Sequence, residues 1–126
     1  MLSEASLGAF VATAKPAEAR AFYEGVLGLR VLSDDQFGMM FDSNGTPLRV
    51  SKVETVTLVP YTTLGWGVAD IRAEVRSLAA AGVVFERYEG MMTQDELGIW
   101  ATPGGGFVAW FKDPDGNLLS LSQLGD

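Results

Sequence analysis

The sequence predicts an α+β protein built from two βαβββ modules that form a curved mixed sheet around a cleft. Three observations carry that reading. The order strand, helix, three strands runs through residues 6–53 and again through 62–123, with 54–61 as linker. The local pattern Phe22-Tyr23-x4-Gly28-Leu29-Arg30-Val31 is echoed by Leu78-x3-Gly82-Val83-Val84-Phe85. The chain has 126 residues, 48% of them apolar, and supplies only two helical segments. A chain of this length buries roughly two-thirds of the surface it exposes when unfolded, enough for a single domain without disulfide or metal staples. With one helix per sheet, the second face of each sheet can be covered only by the other sheet or by a partner chain. The expectation therefore includes a cleft and a homodimer.

Taken in order, Leu7 to Thr13 is a short apolar strand with Gly8, Phe10 and Ala12 on one face and Ala9 and Val11 on the other. Pro16 suits the first turn of a helix, and Ala19, Phe22, Tyr23 and Val26 recur at helical spacing before Gly25 and Gly28 end it. Leu29–Ser33, Gly38–Phe41 and Pro47–Val53 read as strands, separated by the turn residues Asp34-Asp35 and Ser43-Asn44-Gly45. In the second module Thr63–Val68 is a strand and Asp70 an N-cap. Ile71, Val75, Leu78 and Ala79 form the apolar stripe of a helix that Gly82 closes. Val84–Tyr88, Gly98–Ala101, Phe107–Lys112 and Leu118–Ser122 follow as strands.

Composition narrows the chemistry. Without histidine the chain lacks the usual neutral-pH acid/base group and the commonest ligand for transition metals. Without cysteine it has no thiol nucleophile, thiolate metal site or disulfide. A net charge of -7 opposes a sequence-independent grip on nucleic acid, which requires surplus Lys and Arg. No run approaches the length of a membrane span, and Glu4 stands where a signal peptide would be positive. The expectation is a cytoplasmic protein that engages neither nucleic acid nor membrane.

Three segments, Ala21-Phe22-Tyr23-Glu24-Gly25-Val26-Leu27-Gly28-Leu29, Leu64-Gly65-Trp66-Gly67-Val68-Ala69-Asp70-Ile71 and Trp110-Phe111-Lys112-Asp113-Pro114-Asp115-Gly116-Asn117, resemble the vicinal oxygen chelate superfamily. That superfamily includes glyoxalase I, bleomycin-resistance proteins and extradiol dioxygenases. The resemblance implies four metal-ligand positions, one on the first and one on the last strand of each module, usually His, Glu or Gln. They map to Gly8, Arg49, Thr63 and Ser120. This is no first-row ligand set, and Arg49 would add positive charge. The expectation is no metal and no other cofactor, although composition leaves an all-oxygen site open.

Other candidates are weighed on their residues. Asp113-Pro114-Asp115-Gly116-Asn117 lacks the glycine and glutamate positions of an EF-hand and reads as a tight turn. Pro103-Gly104-Gly105-Gly106 precedes a strand rather than a helix, so it reads as a hairpin loop and not a phosphate cradle. Ser51 and Lys52 are adjacent on a strand and point to opposite faces, which leaves the hydroxyl without its base. The acids Glu86, Glu89, Asp95 and Glu96 are either a solvated loop or the source of a carboxylate base.

The aromatic and methionine residues carry most of the functional weight. Trp66, Trp100 and Trp110 lie in second-module strands, and Phe37, Met39, Met40 and Phe41 form an apolar patch in the first, with Met91 and Met92 near a loop. Apolar clefts with a few placed polar groups suit small organic ligands, and the competing reading is core packing. Arg49 facing the cleft suits a carboxylate or phenolate; its alternative is a salt bridge. The leading expectation is a small-molecule-binding protein whose partly aromatic or anionic ligand meets Arg49, Phe37, Met39, Phe41, Trp66, Trp100, Trp110 and Ser120. Two alternatives stand beside it. One is a metal-independent isomerase or lyase acting on a small carbonyl compound, with Glu89, Asp95 or Glu96 as base. The other is a dimeric pseudoenzyme with a closed cleft.

Overall fold

A computed structural model describes residues 1–125, which fall into two compact units, Met1–Leu58 and the described chain from Val59 on. Each holds one four-stranded mixed sheet and follows the strand, helix, three-strand order. The first unit contains β1 (Ala9–Thr13), α1 (Pro16–Arg20), β2 (Arg30–Asp34), β3 (Gly38–Ser43) and β4 (Thr46–Lys52). Its sheet runs β1-β4-β3-β2, with β1 parallel to β4 and the other pairs antiparallel. The second contains β5 (Leu64–Gly67), α2 (Ile71–Ala80), β6 (Trp100–Ala101), β7 (Phe107–Lys112) and β8 (Leu118–Gln123). Its order, β5-β8-β7-β6, repeats the first with β5 parallel to β8.

Local chemistry explains the helix ends. Pro16 opens α1, and the chain then widens into a π-helix over Ala21–Val26 before Gly28, at φ 74°, turns it out. The Asp70 carboxylate caps α2 by accepting from Ala73 N–H at 3.1 Å, while the Gln123 side chain of β8 accepts from Ile71 N–H at 2.9 Å. At the other end Gly82 N–H donates to Ala79 C=O and Val83 N–H to Leu78 C=O, the paired bonds of a Schellman cap. The Asp113–Asn117 segment is a tight turn: Asp113 Oδ1 accepts from the backbone of Asp115 and Asn117, and Oδ2 accepts from the Asn117 amide.

Two strand expectations need correction. Val84–Tyr88 is not a strand, and Gly98–Ala101 shrinks to Trp100–Ala101. Gly98 adopts φ 88°, outside the extended region, so the strand cannot begin there. Glu86 N–H still donates to Trp110 C=O at 2.8 Å, which holds the irregular segment against β7.

Strand alternation then sorts the side chains. In the first unit the rows Val11–Val50–Met39 and Ala9–Leu48–Phe41 lie on the helix side, where Tyr23 meets Phe41 at 5.8 Å between ring centroids. The rows Phe10–Arg49–Met40 and Ala12–Ser51–Gly38 form the helix-free face. In the second unit Leu64–Leu119–Phe111 and Trp66–Leu121–Ala109 take the helix side with Ile71, Val75 and Leu78 of α2. Gly65–Ser120–Trp110 and Gly67–Ser122–Val108–Trp100 make the helix-free face. No helix of the described chain is long and apolar enough to cross a membrane.

Candidate functional site

The helix-free face of the second sheet grades from backbone to hydroxyl to indole. Gly65 and Gly67 on β5 present no side chain, Ser120 and Ser122 on β8 present hydroxyls, and Trp110 and Trp100 on β7 and β6 present rings. A Cβ on Gly67 would meet nothing within 4 Å, whereas one on Gly65 would lie 2.7 Å from Ser120 Oγ. Trp100 and Trp110 stack with centroids 6.1 Å apart, and Tyr88 stands edge-on to Trp110 at 5.4 Å. All three rings are half-buried. Burial, followed by the charge of Glu86, raises the Tyr88 phenol above its ordinary value, so it stays protonated at neutral pH. Glu86 pairs with Lys112 at 3.2 Å beside this cluster.

Tyr88 and Gln94 are the site residues that the sequence reading passed over. Gln94 accepts from Tyr88 N–H through Oε1 at 2.7 Å and donates through Nε2 to Glu86 C=O and Gly98 C=O. Tyr88 carries a visible signal, because it is the aromatic end of the run Val84–Tyr88 that reads as a strand. Gln94 had none, because its role depends on a return of the loop that spacing does not encode.

Other expected site residues fall elsewhere. Trp66 lies on the helix side, stacked on Phe111 at 6.5 Å, so it joins the core rather than the aromatic face. Met39 and Phe41 are wholly buried on the helix side of β3, where alternation separates them from Met40. Phe37 precedes β3 and is 65% exposed. Arg49 lies on the helix-free face of the first sheet with its guanidinium against Gly38, where a Cβ would be 3.1 Å from Nη2. Among the described residues it forms no ion pair.

The three candidate bases differ in their surroundings. Asp95 accepts from Leu97 and Ile99 N–H through Oδ1 and from Arg72 through Oδ2. Burial alone would raise its pKa, but these bonds outweigh it and hold the group below the usual carboxylate range. It is a turn-forming anion rather than a poised base. Glu96 pairs with Arg72 at the surface at 2.9 Å. Glu89 is exposed at the rim of a cavity of about 240 Å³ lined by Arg87, Gly90, Met92, Thr93 and Gln94.

The residues at the mapped metal positions do not fit a first-row metal. Gly8 has no side chain and Arg49 is a cation. Thr63 already donates its hydroxyl to Leu118 C=O at 3.1 Å, which leaves only neutral hydroxyl oxygens there and at Ser120. Among the described residues no three His, Cys, Asp or Glu side chains converge.

A βαβββ repeat with the DPDGN turn defines a class of paired-module proteins, and comparison with known families names it. The model of the glyoxalase/bleomycin resistance protein/dioxygenase superfamily matches residues 7–121, and the chain belongs to that superfamily. The fold is shared with a superfamily member from Sphaerobacter thermophilus DSM 20745, at TM-score 0.74 and 21% identity over 98% of this chain and 99% of that one. A lactoylglutathione lyase from Agrobacterium tumefaciens matches at TM-score 0.72 and 17% identity, over 95% of this chain and 93% of that one. A glyoxalase/bleomycin resistance protein/dioxygenase from Alicyclobacillus acidocaldarius matches at 0.70 and 18%, over 98% and 93%. No curated protein matches the chain in sequence.

Proposed function

We propose that this chain binds a small, flat organic molecule on the helix-free face of its second sheet, without a first-row metal. The observation that carries the reading is the Tyr88–Trp110–Trp100 cluster beside Ser120, Ser122 and two strand positions with no side chain. Half-buried rings give a planar ligand a stacking surface, and adjacent hydroxyls give it hydrogen-bond partners. On its own sheet, Arg49 supplies a charge-assisted donor that suits a carboxylate or phenolate. The reading also takes the chain to be a homodimer, with no second kind of macromolecule as partner, and cytoplasmic.

Equilibrium titration with naphthol and naphthoate tests the binding. The wild type binds at least one, and Trp100→Ala and Trp110→Ala each weaken it. Equal binding by the folded variants would overturn the proposed face. Unchanged binding in chelator accompanies the metal-independent reading, whereas stoichiometric zinc, nickel or iron in untagged protein would refute it. Sedimentation equilibrium at a monomer mass would remove the homodimer.

A further inference from the structure

Gln94 occupies an unusual place among the residues that shape the aromatic face. Its carboxamide accepts from Tyr88 N–H and donates to Glu86 C=O, so it flanks Arg87 as the N–H and C=O of one residue on a parallel neighbouring strand would. A second Nε2 bond reaches Gly98 C=O at 2.9 Å, and residue 94 itself bridges Trp100 in antiparallel fashion. The side chain thus ties the backbone that carries Tyr88 to Gly98, two residues before the short strand that carries Trp100, while the backbone of Gln94 bridges Trp100 itself; the Tyr88 and Trp100 rings flank Trp110. The opposite edge of the Tyr88 segment is held by the Glu86 to Trp110 backbone bond. We infer that Gln94 is a positioning residue that stands in for a missing strand and sets the spacing of the Tyr88, Trp110 and Trp100 rings, and so decides how tightly a flat ligand is held. The ligand half of this inference rests on the binding function proposed above; the ring-positioning half does not.

Gln94→Met keeps length while removing both functions, and Gln94→Glu replaces the donor with an anion facing two carbonyl oxygens. Three readouts separate positioning from bulk stability: the melting transition, the indole exciton couplet in circular dichroism, and naphthol affinity. The expected result is a cooperative melt in both variants, a diminished couplet and naphthol binding about two- to tenfold weaker, the worth of one displaced aromatic contact. Acidification protonates the introduced carboxylate and returns one donor, so the couplet of Gln94→Glu recovers while that of Gln94→Met does not. Glu86, Arg87 and Glu89 lie beside the same position in every variant, and the wild type at each pH is the control. A wild-type couplet and affinity in both variants, an absent acid recovery, or loss of folding in both would overturn the inference. If the wild type itself fails to bind naphthol, the binding reading fails for that probe, while the couplet and its acid recovery still decide the role of Gln94.

Discussion

Trp100 and Trp110 stack across the β6–β7 pairing although the register sets Trp100 opposite Val108. They are diagonal neighbours, and long aromatic side chains on one face reach across that offset. The contact therefore belongs to the helix-free face and does not depend on the hydrophobic core. A double-mutant cycle with Trp100→Ala and Trp110→Ala should give a coupling energy of about 0.5–1.5 kcal/mol in chemical denaturation. Additive effects would show that the rings do not support one another.

Burial separates two phenylalanines that are close in sequence. Phe41 is fully buried against Tyr23, whereas Phe37 is 65% exposed. Phe41→Ala should cost about 3–5 kcal/mol of stability. Phe37→Ala should stay within about 0.5 kcal/mol. Comparable losses in urea unfolding would contradict the assignment of Phe41 to the helix side.

Gly38 has no room for a side chain. A Cβ there would lie 2.8 Å from Val50 C=O and 3.2 Å from Arg49 Cζ. The guanidinium can swing away but the backbone oxygen cannot. Gly38→Ala should destabilise the protein by about 1–3 kcal/mol, as overpacking does elsewhere, and Arg49→Ala should not rescue it. Rescue in thermal denaturation of the double variant would show that the arginine is the obstacle.

Acid should unfold the chain through a small set of carboxylates. Hydrogen bonds from Lys52 and then Arg20 hold Asp34 below the usual range, and the N–H groups of Phe37 and Gly38 do the same for Asp35. Asp95 is held low by its turn and Arg72 against the opposing effect of burial. Folded values lie below unfolded ones, so this stabilisation is complete above about pH 4 and is lost as pH falls through the lower folded values. With no histidine, the melting temperature should be level between about pH 6 and 7 and fall below about pH 4. A sigmoidal step near pH 6 or a flat acid limb would contradict this account.

The repeat of strand, helix and three strands was legible because apolar period and turn residues are local signals. Asp70, Gly82 and the Asp113 turn do in the fold what their side chains favour in isolation. The candidate site was legible only in part. Phe37, Met39, Met40 and Phe41 look like one patch in a linear chain, but strand pleating sends Met39 and Phe41 to the core and Met40 to the other face. The same alternation divides Trp66 from Trp110, because Trp66 pairs with Leu121 while Trp110 pairs with Ser120. Val84–Tyr88 has the composition of a strand, yet its outer partner is the side chain of Gln94, and no periodicity announces such a substitute.

The central claim is that flat molecules meet the face of Trp100 and Trp110 and not the core. Tryptophan fluorescence of the wild type and of Trp66→Phe, titrated with naphthol and naphthoate, tests it most directly, because Trp66 is stacked on Phe111 on the helix side. The account predicts a saturable change with at least one compound that persists in Trp66→Phe and is lost in Trp110→Ala. No change with either compound, or a change that disappears with Trp66 alone, would contradict it.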